Sequence, residues 1–363
     1  MATDSVATIR GRRSAQHVLG TVVAAVALLA SGCAASGVTP PPSATSPAPP
    51  PSPAASTEPT SSPTPAPSGA ITLYTSVTQG TVDAVVEGFK TSHPGVTVDV
   101  FRAPTGELSG RIAAELREGR IRGDILWLTD PLSIQAYATQ GLLRTWQPGE
   151  ASGIDAAFRG ETFWGTRFLN MVMVRGTALT PGPVAWHDLT DPRYKDSVGF
   201  PDPGFAGSAF GALGYFAQTD GFGFEFYQAL KANGATQVKS PDEVTTGVAE
   251  GRFKAGMTLD NSARTAIAKG SPIELVWPSD GAISIYSPIG VVDATENAPA
   301  SESFVEFVLS GAGQQAIART GWQPIRAGAG GPPPEGPQVY PDWEAAFGRQ
   351  EELLAKYRAI FGG

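Results

Sequence analysis

The sequence predicts an α/β protein of two lobes with a cleft between them, and three observations carry that prediction. Apolar, β-branched runs alternate with segments of helical period from Ile71 onward. The alternation loosens after Gly141-Leu142-Leu143-Arg144 and restarts after Pro181-Gly182-Pro183, and residues 284–292 then form an apolar run positioned to return the chain to its first half. Alternating units of this length imply a largely parallel sheet with right-handed crossovers. Ligands then belong at the carboxyl ends of the strands.

The elements follow in order. Residues 71–75 read as a strand, followed by a polar loop and a helix with Val82, Val85, Val86 and Phe89 on one face. A second strand, 96–101, follows His93-Pro94-Gly95. The loop Pro104-Thr105-Gly106-Glu107 then opens a helix through Leu108, Ile112 and Leu116, and a third strand, 125–128, follows Gly123-Asp124. Residues 163–174 form one or two strands. The second lobe starts with a strand at 198–200, and the small-residue loop from Pro203 to Ala209 opens an apolar helix reaching Phe216. A helix near 224–233, a short helix ending at Gly251, a strand at 255–259 and another near 274–277 complete it. Segments 304–309 and 314–319 are helical, and 340–361 reads as one amphipathic terminal helix. This gives a first lobe over 70–175 completed by 283–330, a second lobe over 176–282 and a helical tail over 331–363.

Upstream, Arg10, Arg12 and Arg13 precede an apolar run from Val18 to Ala30, then Ser31, Gly32 and the single cysteine, Cys33. Residues 1–33 therefore read as a secretory signal with a lipidation cysteine, since the apolar run is too short for a span of about 20 residues. The expected location is the outer face of a cell membrane, with the chain held there by lipid. Residues 34–69 are almost all Pro, Ser, Thr and Ala. They have too little apolar surface to offset ordering entropy and make an extended tether.

Cleavage before Cys33 removes three arginines and one aspartate, which takes the formal net charge from −8 to −10. That acidity argues against nucleic acid as a partner. With its one cysteine assigned to lipid, the chain has no disulfide to rely on, and its length suits two lobes with their own cores. A monomer is expected.

Catalytic machinery is sparse. Beyond the signal only His93 and His187 remain, neither at metal-ligand spacing, and both read as structural. No Gly-x-Ser-x-Gly elbow, His-Glu-x-x-His pair or Gly-x-x-x-x-Gly-Lys-Ser/Thr loop is present. No metal or cofactor is expected. Asp130 and Asp260, both at strand ends, are the one acid pair available for general acid and base work, so a surface enzyme is one reading. An adaptor that binds a protein partner and lacks a small-molecule cleft is another. The third is a receptor, in which small hydroxyls and helix-start amides hold an anion. Its expected ligand residues are Ser76, Thr78, Thr105, Gly106, Gly207, Ser208 and Ala209, with Asp130, Asp260 and Asn261 facing an amino or hydroxyl end and Tyr286 close to a chain crossing. Trp127 and Trp277 lie inside strands, where packing is the default role.

A family likeness favours the receptor. Leu73-Tyr74-Thr75-Ser76, Thr105-Gly106-Glu107-Leu108, Gly123-Asp124-Ile125-Leu126-Trp127, Asp191-Pro192-Arg193-Tyr194, Ala206-Gly207-Ser208-Ala209 and Gly321-Trp322-Gln323-Pro324-Ile325-Arg326 occur in that order. The chain from Ile71 to about Arg326 thereby resembles the ferric-ion-binding and phosphonate-binding branch of the solute-binding proteins of ABC importers. The resemblance implies a type II periplasmic binding protein fold that closes on its ligand about a hinge and delivers it to a membrane permease. In ferric-binding members a tyrosine doublet after the late strand supplies phenolates; here Asp260-Asn261-Ser262-Ala263 follows Met257-Thr258-Leu259. A hard ferric ion wants several anionic oxygens. The expected ligand is therefore an organic phosphonate or phosphate, an anion or zwitterion, with chelated ferric ion as the alternative and a thiamine-like or polyamine-like cation after that.

Overall fold

The computed structural model describes residues 67–362. The expected signal, Cys33 and almost all of the tether lie outside the described residues. Among the described residues no helix is long and apolar enough to cross a membrane.

The first lobe opens with β1 (Gly69–Thr75), α1 (Gln79–Ser92), β2 (Val96–Arg102), α2 (Thr105–Arg117), β3 (Ile125–Trp127) and α3 (Pro131–Thr139). Strand β1 pairs in parallel with β2 on one side and β3 on the other. The residues expected on the inner face of α1, Val82, Val85, Val86 and Phe89, are all buried. Each such side chain contributes about 1.5–3 kcal/mol when taken out of water.

Strand β4 (Trp164–Gly176) then leads into the second lobe, built from β5 (Val198–Pro201), α4 (Gly207–Phe216), α5 (Gly223–Ala232), β6 (Thr236–Val238), α6 (Pro241–Ala249), β7 (Ala255–Leu259), α7 (Asp260–Ala268) and β8 (Ile273–Val276). Strand β9 (Ala282–Val291) brings the chain back, followed by α8 (Ala298–Leu309), α9 (Gly311–Arg319), β10 (Gln323–Pro324), β11 (Gln338–Val339), α10 (Trp343–Ala346) and α11 (Gln350–Phe361).

The two long strands join the lobes. Antiparallel β4 and β9 pair from Trp164 to Met171, β9 continues along β3, and the far half of β4 continues between β7 and β8. One lobe thus has the strand order β2-β1-β3-β9-β4 and the other β6-β5-β7-β4-β8. All ten residues of β9 are buried, as are the first eleven of β4, so both strands are apolar nearly throughout. Some of the exceptions are polar residues that satisfy one another. Asn170 accepts from Ser284 Oγ at 2.6 Å and donates to Gln323 Oε1 at 3.0 Å, and Gln338 Nε2 donates to Asn170 at 2.8 Å.

The tail departs from expectation. In place of one helix over 340–361 there are two, α10 and α11, separated at Gly348, whose φ of 82° no helix accommodates. The tail touches both lobes: Gln350 donates to the Leu132 carbonyl of α3, while the Tyr357 ring lies edge-on to Tyr227 of α5 at 5.3 Å.

Candidate functional site

Strands β1, β2, β3, β5, β6 and β7 each end in a turn that leads into a helix, and these ends converge. From the first lobe come Ser76 and Thr78 after β1, Thr105 after β2 and Thr129 after β3; from the second come Gly207 and Ser208 at the start of α4, Lys239 and Ser240 before α6, and Leu259 at the end of β7. They line a cavity of about 290 Å³.

On the first-lobe side three hydroxyls form a triangle. Thr105 Oγ1 donates to Ser76 Oγ at 3.0 Å and lies 3.0 Å from Thr129 Oγ1, and Ser76 and Thr129 are 3.3 Å apart. Across from it, Gly207 and Ser208 form the first turn of α4, and no side chain caps that helix. Free amides at a helix start favour an anion.

The lobes are in contact here. The Gly106 amide donates to the Phe205 carbonyl at 3.2 Å, and a Cβ at Gly106 would lie 2.3 Å from the Gly204 oxygen. A Cβ at Gly207 would lie 2.3 Å from Asp130 Oδ2 and 2.7 Å from Thr105 Oγ1. Glycine at 106 lets two backbones meet at this distance, and glycine at 207 leaves room for the Asp130 and Thr105 side chains.

The cavity also carries charge, and Arg167, in the middle of β4, is the part of it that lies at no strand end. Arg102, Arg167 and Lys239 line it, with Asp242 and Glu243 from the first turn of α6. Arg102 donates Nε–H to the Val77 carbonyl at 2.7 Å. Arg167 is fully buried on β4, with its guanidinium 4.1 Å over the Trp322 ring and Nη1 donating to Thr81 Oγ1 at 3.2 Å. Its Nε and Nη2 have no hydrogen-bond partner among the described residues. Burial, reinforced by repulsion from Arg102 and partly offset by Asp260, brings its pKa down to about 9.

Of the eleven residues expected from the sequence, Ser76, Thr78, Thr105, Gly207 and Ser208 line the cavity, and Gly106 forms the contact beside it. The others are committed elsewhere. Asp130 caps α3, accepting from the Ser133 amide at 2.7 Å and the Ser133 hydroxyl at 2.8 Å. Burial outweighs these bonds and pushes its pKa up to about 7. Asp260 is buried and paired with Arg264, and it also accepts from Asn170 at 3.1 Å. Burial raises its pKa, with Arg264 opposing. No hydrogen bond links the two acids. Asn261 holds the Thr320 and Gly321 carbonyls at 3.2 and 2.9 Å. Ala209 is buried within α4. Tyr286 packs between Phe158 and Trp343 at 5.6 and 5.5 Å, in a separate groove. Among the described residues each histidine stacks on a phenylalanine at 4.5 Å, His93 on Phe89 and His187 on Phe222.

Thr129, which borders Asp130 in the sequence, joins the hydroxyl triangle. Arg167 had a signal of its own: it is the one charge in the run from Trp164 to Val174. A larger, more open groove of about 730 Å³ is lined by Trp146, Glu150, Glu302, Glu306 and Phe307 and receives none of the strand ends. Among the described residues no three His, Cys, Asp or Glu side chains are grouped to hold a metal ion.

Residues 71–323 match the family described as bacterial extracellular solute-binding protein. A periplasmic protein of Salmonella typhimurium named for 2-aminoethylphosphonate binding is 24% identical over 247 residues, covering 65% of this chain and 72% of that protein. The periplasmic binding protein AfuA from Actinobacillus pleuropneumoniae, with exogenous fructose-6-phosphate bound, superposes with a TM-score of 0.73 at 19% identity, over 82% of this chain and all of that one. Iron-bound HitA from Pseudomonas aeruginosa gives 0.70 at 20% identity, over 80% of this chain and 99% of that one.

Proposed function

The chain belongs to the bacterial extracellular solute-binding proteins, and from that premise we propose that it serves an ABC importer by capturing a small organic phosphonate or phosphate. The observation that carries this reading is the convergence of the Ser76, Thr105 and Thr129 hydroxyls with the uncapped first turn of α4 on one cavity of about 290 Å³. Hydroxyls and free helix-start amides suit a tetrahedral oxyanion, which offers several acceptor oxygens at once. Asp242 and Glu243 stand on the same lining and suit an amino end. The relative named for 2-aminoethylphosphonate binding supports the phosphonate, and the fructose-6-phosphate held by AfuA supports a phosphate ester.

Capture follows from differential contact. A ligand resting on the first-lobe triangle gains the α4 amides only when the lobes meet at Gly106 and Phe205, so its extra affinity for that state shifts the population toward closure. The lobes turn about the two crossings, β4 and β9. Cys33 carries the lipid that holds the protein at the outer face of the membrane, and residues 34–69 space the lobes from it toward the permease.

A thermal-shift panel on the protein lacking its lipid tests the ligand class. It contains aminoalkyl phosphonates, organic phosphates, ferric citrate, thiamine and polyamines. A ligand at 100 times its Kd adds about 2.7 kcal/mol to stability, a rise of several degrees for a protein of this size. Phosphonates or phosphates are expected to give it. A rise with ferric citrate alone replaces the reading with chelated iron, and a rise with polyamines alone replaces it with a cation.

A further inference from the structure

We propose that Arg167 is the specificity-determining residue of the cavity, taking two oxygens of the ligand's oxyanion through its Nε–H and Nη2–H and confining capture to solutes that carry such a group. This rests on the function proposed above and names the residue that enforces it. The guanidinium is fully buried yet lacks a carboxylate partner among the described residues. Trp322 covers one face of it and Thr81 takes a single Nη1 hydrogen. The two nitrogens left over, Nε and Nη2, share one edge of the guanidinium, the fork that matches carboxylate, phosphonate and phosphate bidentately.

A buried guanidinium without a partner is costly, and proteins keep one where something completes it. Arg102 on the same lining adds repulsion, and the lowered pKa of Arg167 is the mark of both burdens. An oxyanion between the two guanidinium groups removes the burden. Position supports the role as well. Arg167 pairs with Ser287 on β9 and lies opposite the end of β10 at Pro324, on the strand that both sheets share, and it lines the same cavity as the hydroxyl triangle and the start of α4. The competing role for Arg167 is that of a packing element held by Trp322 and Thr81. The two accounts differ in sign: a packing element stabilises the ligand-free protein, whereas an unpaired buried charge destabilises it.

The experiment compares wild type with Arg167→Met and Arg167→Lys. Ligand-free melting temperatures are measured, with calorimetric affinities for 2-aminoethylphosphonate, methylphosphonate and inorganic phosphate. Arg167→Met is expected to melt at or above the wild-type temperature without ligand and to lose at least 100-fold in affinity for the oxyanions. Arg167→Lys keeps the charge without the fork and should lose about tenfold. Oxyanion affinity unchanged in Arg167→Met, with a lower ligand-free melting temperature, overturns this inference alone. Wild type that binds none of the oxyanions overturns the preceding reading of the ligand class, and this inference falls with it.

Discussion

Replacing Gly106 with alanine puts a single methyl group where the two lobes touch. The added Cβ would sit 2.3 Å from the Gly204 carbonyl oxygen, against an ordinary contact of 3.4 Å or more, so the backbones must separate by about 1 Å. Overpacking of this kind costs about 1–3 kcal/mol. Separation also loses the Gly106 N–H bond to the Phe205 carbonyl, which contributes about 1 kcal/mol. The closed state alone bears this penalty of about 2–4 kcal/mol, because an open cleft has no Gly204 within reach. At about 1.4 kcal/mol per tenfold, ligand affinity should fall roughly 30- to 1000-fold. The ligand-free protein moves the other way: position 106 lies in the first turn of α2, where alanine is favoured over glycine by up to about 1 kcal/mol. The assay is titration calorimetry with the stabilising compound, paired with small-angle scattering at saturation. An affinity within threefold of wild type, with the same ligand-induced contraction, would refute the assignment of this contact to closure.

Three further outcomes are expected. Between the ordinary carboxyl value and the raised one near 7, folded Asp130 holds a proton that the unfolded chain has released, so stability falls as pH rises through that window and levels off above it. Denaturant titrations should therefore find that Asp130→Asn, still a competent cap for α3, gains on the order of 2–3 kcal/mol of stability relative to wild type between pH 5 and pH 8; a difference from wild type that is the same at both pH values would contradict this. Asp260→Asn should cost about 1–3 kcal/mol of unfolding free energy by breaking the pair with Arg264, and change ligand affinity less than threefold; a large affinity loss at unchanged stability would put Asp260 back on the ligand. Cys33→Ser should move the protein from the detergent phase to the aqueous phase in a cloud-point partition, and a protein already aqueous in wild-type form would remove the anchor from the reading.

Much of the cavity lining was legible because it is local. The strand, loop and helix periods fix which residues fall at the carboxyl ends of parallel strands, and Ser76, Thr105, Gly207 and Ser208 follow from that alone. Asp130 shows where the same rule stops. An acid at a strand end, followed by Pro131 and with Ser133 three residues on, is equally the signature of a helix cap, and the cap takes both carboxylate oxygens. Tyr286 lies apart from this cavity for a different reason: nearness to a crossing fixes neither face, and its position on β9 turns the ring toward Phe158 and Trp343. The terminal helix was read as continuous because amphipathic spacing does not register the positive φ of Gly348.

Arg167 was illegible by the strand-end rule because its place on the cavity lining depends on how β4 pairs with β9 and β10, segments more than a hundred residues away. Yet it had the stronger sequence sign. An acid at a helix start can be satisfied by the backbone amides beside it. A guanidinium in the middle of a buried strand has no such neighbour, since the ladder already uses the carbonyls next to it. Its partner must come from a distant side chain or from outside the chain. With Asp260 committed to Arg264 and Asn170, and Thr81 able to take only one of the hydrogens, the remaining fork points to a ligand.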